Sequence, residues 1–357
     1  MATMPISEFR VPDEVTELLA VSPRVGADAV VYFYNGDWVE SASRLTANVR
    51  VTSSRQGRAA KLEVSPEAHD VRLLVVQLYG NLLTTKQSED PFSVSCQQAY
   101  RVQGQAEIVE LHIAVNDIPI DVENKSYFDI FGGGSVAYGQ TFWVGDEAKV
   151  KNRIESRLPE KAAFNGLTLS IGATLMQNEM DVDLAGVNSE CQLRSLLLAT
   201  REQRIETVSN IRHLSGETKS VQLIKSVVNE HAKVAFTGNV QIASGAQKSD
   251  ARQLSQSLLL SREGEAITKP QLDVGADDVT ATHGATVGQL DEAQLFYLMS
   301  RGFNRSDARH MLTLAYQRDV FDQLKSGFVK TFMERIHARL PVEFSAENSR
   351  RGGVMRQ

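Results

Sequence analysis

Seven histidines and two cysteines are the side chains most able to hold a metal or to act as a base or nucleophile. The histidines stand at positions 69, 112, 213, 231, 283, 310 and 337. None forms an HExxH or HxH pair, so no segment carries a local metal spacing. His310 and His337 fall in helical segments and read as surface residues; His112 lies inside a strand pattern, as a satisfied or a solvent-facing residue. Cys96 and Cys191 are far apart and form neither a CxxC nor a Cys/His ligand spacing. Two cysteines are too few for a disulfide framework, and they suit a reducing compartment. The cluster Phe131-Gly132-Gly133-Gly134-Ser135 lacks the Gly-Lys-Ser/Thr that a phosphate loop needs, so no nucleotide is expected on this chain. No Gly-x-Ser-x-Gly elbow and no nucleophile–base pair stands out, and the chain does not read as an enzyme.

One segment gathers more chemistry than the rest. Lys269-Pro270-Gln271-Leu272-Asp273-Val274 reads as a strand, Asp277-Asp278 as an acidic turn, and Thr280 to Gly288 as a second strand with a glycine-punctuated exit. Within it lie two carboxylates, two threonines and His283. A turn with an Asx-type hydrogen bond and a structural histidine is the plain interpretation. A neutral His283 offering a nitrogen to a metal is the other. Residue chemistry leaves both open.

The elements that would position these residues differ along the chain. Residues 1–29 form a short N-terminal segment with one amphipathic candidate from Pro12 to Ala20. From 30 to 288 short β pieces follow one another, starting with Val30-Val31-Tyr32-Phe33-Tyr34 and an Asn35-Gly36 hairpin signal. Val71–Val76, Ile108–Val115, Leu167–Ile171 and Val234–Ile242 continue the series. Many short strands without intervening helices predict a mainly β body, either a sandwich, a barrel or a solenoid, and no strict internal repeat selects among them. Residues 289–341 form a helical domain. Asp291 to Gln294 is a capping box, Arg301-Gly302 a helix stop, Asn304 or Ser306 a second start, and Phe321, Leu324, Phe328, Phe332 and Ile336 a third helical row. Residues 342–357 are polar and predicted to be a disordered tail.

Composition excludes several functions. The 357 residues carry a net charge of −6, which argues against a general nucleic-acid or anionic-membrane binder. That charge, and the β body ahead of it, also count against reading the helices with Arg301, Arg305 and Arg309 as a DNA-binding helix-turn-helix. No apolar stretch approaches the roughly 20 residues of a membrane span, and the first residues lack a secretory pattern, so a cytoplasmic location is expected.

The segment Lys269 to Gly288, continued by Gln289-Leu290-Asp291-Glu292-Ala293-Gln294-Leu295-Phe296-Tyr297-Leu298-Met299-Ser300-Arg301-Gly302, closely resembles the signature of the SufB/SufD family, the scaffold proteins of SUF iron–sulfur cluster assembly. Val234-Ala235-Phe236-Thr237-Gly238, Gly245 to Ala251, Leu258 to Ser261, and His213 with Ser220, Gln222 and Lys225 extend the resemblance. It covers 210–316 and reaches more weakly back to Asn35-Gly36. Within the family the chain is similar to the SufD branch, lacking the cysteine-bearing segment of SufB around Gly245 to Ala251.

The resemblance implies a right-handed parallel β-helix core with a C-terminal α-helical domain and a shortened N-terminal segment. It implies a non-enzymatic scaffold that pairs with a SufB-like subunit through β-helix edges. The ATPase SufC would dock on the C-terminal helices, where Phe296, Tyr297, Arg301 and Gly302 are the candidate contacts. An iron–sulfur cluster, transient and shared with SufB, would form beside the histidine that matches His283. The family often has a cysteine two residues earlier, and here that position is Ala281. A homodimeric β-helix scaffold without SufB is one alternative. A carbohydrate-active β-solenoid is another, and it would need paired carboxylates on one strand face, where the adjacent Asp277 and Asp278 point to opposite sides.

Overall fold

The structure, a computed structural model, describes residues 26–53, 59–64, 71–79, 92–114, 119–322, 324–325 and 327–340. The expected Pro12–Ala20 helix and the 342–357 tail lie outside the described residues.

The chain coils into a parallel β-solenoid with two sheets. One sheet is built from β1 (Ala29–Tyr34), β5 (Val71–Tyr79), β7 (Gln105–Ala114), β9 (Ser135–Trp143), β11 (Ala163–Ser170), β13 (Glu190–Ala199), β15 (Lys219–Val228), β17 (Asp250–Leu259) and β19 (Thr280–Gly288). The other contains β4 (Ala59–Val64), β6 (Phe92–Val102), β8 (Ile120–Ile130), β10 (Lys149–Leu158), β12 (Leu175–Leu184), β14 (Arg204–His213), β16 (Lys233–Ile242) and β18 (Glu265–Val274). Each coil adds one strand to each sheet. At the early end the pattern closes in antiparallel pairs. There β2 (Asp37–Trp38) folds back on β1 through Asn35 and Gly36, both at positive φ as the hairpin signal requires, and β3 (Val49–Ser53) pairs with β4.

Residues stacked one coil apart are separated by 26 residues at Asn152–Asn178 and by 32 at Gln241–Asp273. This drift explains why no strict repeat shows in the sequence. The turns leaving β10, β12, β14 and β16 absorb it, each around one left-handed residue: Lys161, Asn188, Glu217 and Lys248.

The two sheets differ in texture because they differ in what covers them. Strands of the second sheet alternate cleanly, as in Lys149-Val150-Lys151-Asn152-Arg153-Ile154, with inward residues buried and outward ones facing water. Their outer side chains pair along the sheet, as Arg153 does with Asp181 (2.9 Å) and Lys125 with Glu155 (3.1 Å). Strands of the first sheet are nearly continuous in apolar residues, as in β5 and β13, because both faces are buried. Helices cover the outer face of β7, β9, β13 and β15.

Three helices follow β19: α1 (Glu292–Ser300), α2 (Arg305–Asp322) and α3 (Phe328–His337). The helix signals hold at α1. Asp291 Oδ1 accepts from Ala293 N at 2.8 Å, and Gly302 ends the turn at φ 97°. The row from Phe321 to Ile336 is not one helix, however. Phe321 lies in the last turn of α2, and Gly327, a poor helix former, precedes α3. With no capping side chain at Gly327, Glu107 of β7 reaches across, and its Oε2 accepts from Val329 N at 2.9 Å. The break lets α2 follow β13 and β15 while α3 lies on β7 and β9. Phe321, Phe328, Phe332 and Ile336 all enter the apolar layer between helices and sheet. Gly139 makes this approach possible, since a Cβ there would meet Met333 Cγ at 2.8 Å. His337, expected at the surface, is buried in the same layer. Its Nε2 is 2.6 Å from Gln317 Oε1, and burial pushes its pKa down to about 4. His337 follows Met333 by four residues, so helical spacing puts it on the face of α3 that meets the sheet.

Candidate functional site

Beneath the last coil, the interior holds two apolar clusters with a polar band between them. Along β9, Tyr138 belongs to one cluster and Phe142 to the other, and Gln140 lies between. The band's charged centre is Glu110, fully buried. Tyr138 and Ser126 donate to its Oε2 at 2.5 and 3.0 Å, Tyr100 does so at 3.1 Å, and His112 Nε2 lies 3.0 Å from Oε1. Burial pushes this carboxyl up, but His112 and the hydroxyl donors outweigh it, and the net shift is downward. On the other side His112 Nδ1 meets the Tyr79 hydroxyl at 2.5 Å, and its ring stacks on Phe142. His112 is therefore the satisfied core residue of the two expected alternatives. Asn124, Asn152 and Asn178 continue the band as a ladder, with amide bonds of 3.0 and 3.3 Å.

His213 is likewise closed off. Its Nδ1 and Nε2 lie 2.8 Å from Thr218 Oγ1 and Ser220 Oγ, and burial pushes its pKa down to about 4. A neutral imidazole locked by two hydroxyls shapes a turn; neither nitrogen is available to a ligand.

His283 has different surroundings. It stands on β19, in register with Gln253 of β17 and, one coil further in, Gln222 of β15. Those two glutamines are buried, and Gln253 Nε2 donates to Gln222 Oε1 at 3.3 Å. His283 is exposed at the head of this row, beside a shallow groove that it shares with Gln253, Arg252, Leu254 and Gly284. The exposure follows from topology: β18 and β19 are the last strands of their sheets, so no coil covers them. Inward positions that alternate as buried in every preceding coil are half-buried or exposed in these two strands.

The acidic turn lies where expected. Asp278 N donates to Gln247 Oε1 at 2.9 Å, and Asp278 O accepts from Lys248 N at 2.5 Å. Its carboxylates do not join His283. Among the described residues, no three His, Cys, Asp or Glu side chains converge on a point where a metal could sit. No pair of His, Cys, Asp or Glu side chains among the described residues joins His283 in such a group.

The other candidates come together in α1. Phe296 and Tyr297 are 73% and 56% exposed, and the Arg301 guanidinium lies 5.2 Å from the Tyr297 ring centroid, with Gly302 following. Met299, Phe303 and Met311 extend this apolar surface onto the turn and α2. Leu295 is the buried residue of α1, and Arg305 holds α1 to α2 by pairing with Glu292 at 2.8 Å. The hairpin is tied to the late coils. Lys225 of β15 pairs with Asp319 at 2.6 Å and lies 4.3 Å from the Tyr316 ring centroid. Tyr316 and Arg309 donate to the carbonyls of Gln256 and Leu260 at 2.7 and 3.0 Å.

Residues 134–316 match the family model described as SUF system FeS cluster assembly, SufBD core domain. The chain belongs to the SufBD family. The matched stretch includes β19, His283 and most of the helical hairpin. Similar curated proteins include the iron-sulfur cluster assembly protein SufD of Escherichia coli, 32% identical over 204 residues, which are 54% of this chain and 48% of that protein. An iron-sulfur cluster assembly SufBD family protein of Synechocystis is 34% identical over 46% of this chain and 36% of its own length. SufD of Bacillus subtilis is 31% identical over 44% of this chain and 36% of its own length. The chain thus spans about half or less of the relatives it matches, and it is SufD-like within the SufBD family. Among the described residues, no helix is long and apolar enough to cross a membrane.

Proposed function

We propose that this SufBD protein is a SufD-like scaffold subunit for iron–sulfur cluster assembly. It pairs with a SufB-like subunit through the uncovered end of its solenoid. His283 then offers a neutral nitrogen to iron at the seam, and the partner supplies the sulfur ligands, since the position two residues before it is Ala281. The cluster is cargo that is built and passed on, and the role of this chain is to hold it, with no catalysis of its own. The observation that carries this reading is the setting of His283: an accessible imidazole on an edge strand, while His112, His213 and His337 are locked in the core.

The exposed surface of Phe296, Tyr297 and Arg301, with Gly302 shaping its turn, suits the docking of a SufC-like ATPase. Anchors at Lys225, Tyr316 and Arg309 would carry movement of that hairpin to β15 and β17, the strands beneath His283. A homodimer is a second reading. It is favoured by β19 itself, which has no Asp, Glu, Lys or Arg from Thr280 to Gly288 and could face its own copy without repulsion.

Co-expression with SufB-like and SufC-like partners, followed by size-exclusion chromatography and iron and sulfide analysis, tests the reading. His283→Ala is expected to leave the complex assembled and to lower its cluster content several-fold. Unchanged iron and sulfide in that variant would remove the ligand role. Truncation before Asp291 should abolish co-purification with the SufC-like subunit; retained binding would place that dock elsewhere.

A further inference from the structure

The open end presents two strands, and as edges they are not equivalent. In a parallel ladder, alternate residues turn both N–H and C=O to one neighbouring strand, and the residues between them turn to the other. On β18, Glu265 N donates back to Ala232 O, and Gly275 N, just beyond the strand, to Ile242 O. The odd positions are therefore spent on β16, and Ala266, Thr268, Pro270, Leu272 and Val274 face the free edge. On β19, Thr280 N donates back to Ser249 O. Even positions are spent on β17, and Ala281, His283, Ala285 and Val287 face the free edge.

Pro270 thus stands in the middle of the free edge of β18. It has no N–H to give, and its ring occupies the place where an incoming carbonyl would approach. In any coil beneath, a proline at an inward-facing position would break a ladder bond; in the last coil it breaks none. On β19 the free edge has no proline and no Asp, Glu, Lys or Arg, and two of its four residues are alanines.

We infer that Pro270 confines strand addition at the open end to β19. The occupant is the terminal strand of the SufB-like solenoid proposed above, laid along Ala281 to Val287, with the backbone N–H and C=O of His283 among the bonding groups. The pairing that positions the histidine at the seam is then made by the histidine's own peptide groups. This inference rests on the pairing reading and adds to it which strand carries the seam and which residue enforces the choice.

Hydrogen exchange read residue by residue, on the full chain alone and with the SufB-like partner, separates the possibilities. Protection is expected at the amides of Ala281, His283, Ala285 and Val287, with Ala266, Thr268, Leu272 and Val274 still exchanging. Equal protection on both strands would overturn the inference while leaving the pairing standing. No protection on either strand would overturn the pairing itself. Protection of β19 in the chain alone, rising with concentration, would support the strand assignment and make the occupant a second copy.

Two variants give the converse test. Ala285→Pro removes an N–H that bonds to no other strand of this chain, so its melting curve should match wild type while association weakens by about tenfold or more. Pro270→Thr restores a donor and should extend protection onto β18. Association of Ala285→Pro at wild-type strength would overturn the inference.

Discussion

The last coil and the coils beneath it are built from the same kind of strand, yet they behave as different materials. In β14 and β16 each inward residue has a coil above and below it and is shut from water. In β18 and β19 the inward residues have a coil on one side only, and Val274 and Val287 among them are exposed. Burial in a solenoid is a property of the stack, and a strand gains most of its contribution from the next one. Polar groups therefore have opposite meanings in the two regions. Inside, each needs a partner in the chain; at the end, unpaired groups are available to another molecule.

Breaking the interior should have the largest effect. Glu110→Ala leaves His112 and the hydroxyls of Tyr100 and Tyr138 buried without their acceptor. Losing one member of such a buried pair costs about 3–5 kcal/mol. Denaturant unfolding should show the full loss, and a change below about 1 kcal/mol would mean that the band is hydrated and the pair dispensable. Replacing Asp273, exposed on β18, should shift the same curve by less than about 0.5 kcal/mol.

Acid should divide the regions in the same way. His213 is pushed down to about 4 by burial, against a weak upward pull from Asp250, whereas in the unfolded chain it titrates near 6.5. Between those values the unfolded chain takes up a proton that the native state refuses. Stability is therefore intact above about pH 6.5 and falls as pH drops toward 4, by ~3 kcal/mol for such a shift. His337, also held near 4, adds to the same slope. Melting temperature measured across this window should decline in wild type and decline less in His213→Gln. An equal slope in that variant would assign the acid sensitivity to other groups.

Much of this contrast could be read in the chain beforehand, and the reasons for the rest are local. Alternation and the Asn35-Gly36 turn marked the strands because side chains in a strand change face at every residue. The coil stayed hidden because its period drifts and the turns absorb the drift without a recurring residue type. Glu110 and His112 share one face of their strand, but a lone strand reads the same whether that face meets water or core; pairing with β5 and β9, and the facing sheet with its Tyr100 and Ser126, enclose them. A proline within a strand pattern, as Pro270 is, favours an edge, a signal that the reading of Lys269–Val274 as a plain strand left unused. Its force appears only once the direction of each peptide group is known. Phe296, Tyr297, Arg301 and Gly302 of α1 were marked by the family resemblance and not by helical spacing, and the break before α3 was hidden because the residue that caps it, Glu107, comes from a distant strand.

The smallest expected change in stability belongs to the residue with the largest proposed role. His283 is exposed, makes no hydrogen bond to a side chain of another described residue, and lies on an uncovered strand. His283→Ala should therefore alter unfolding free energy by less than about 0.5 kcal/mol, as for an ordinary surface site. His213→Ala, which leaves Thr218 and Ser220 without their shared partner, should cost about 1–3 kcal/mol. Measured side by side, the two variants separate support of the fold from service at the seam. If His283→Ala destabilised the isolated chain as much as His213→Ala, the histidine would be a structural member of the last coil. Its loss would then lower cluster content through the fold alone. A stable variant with reduced cluster content would tie the effect to the imidazole itself.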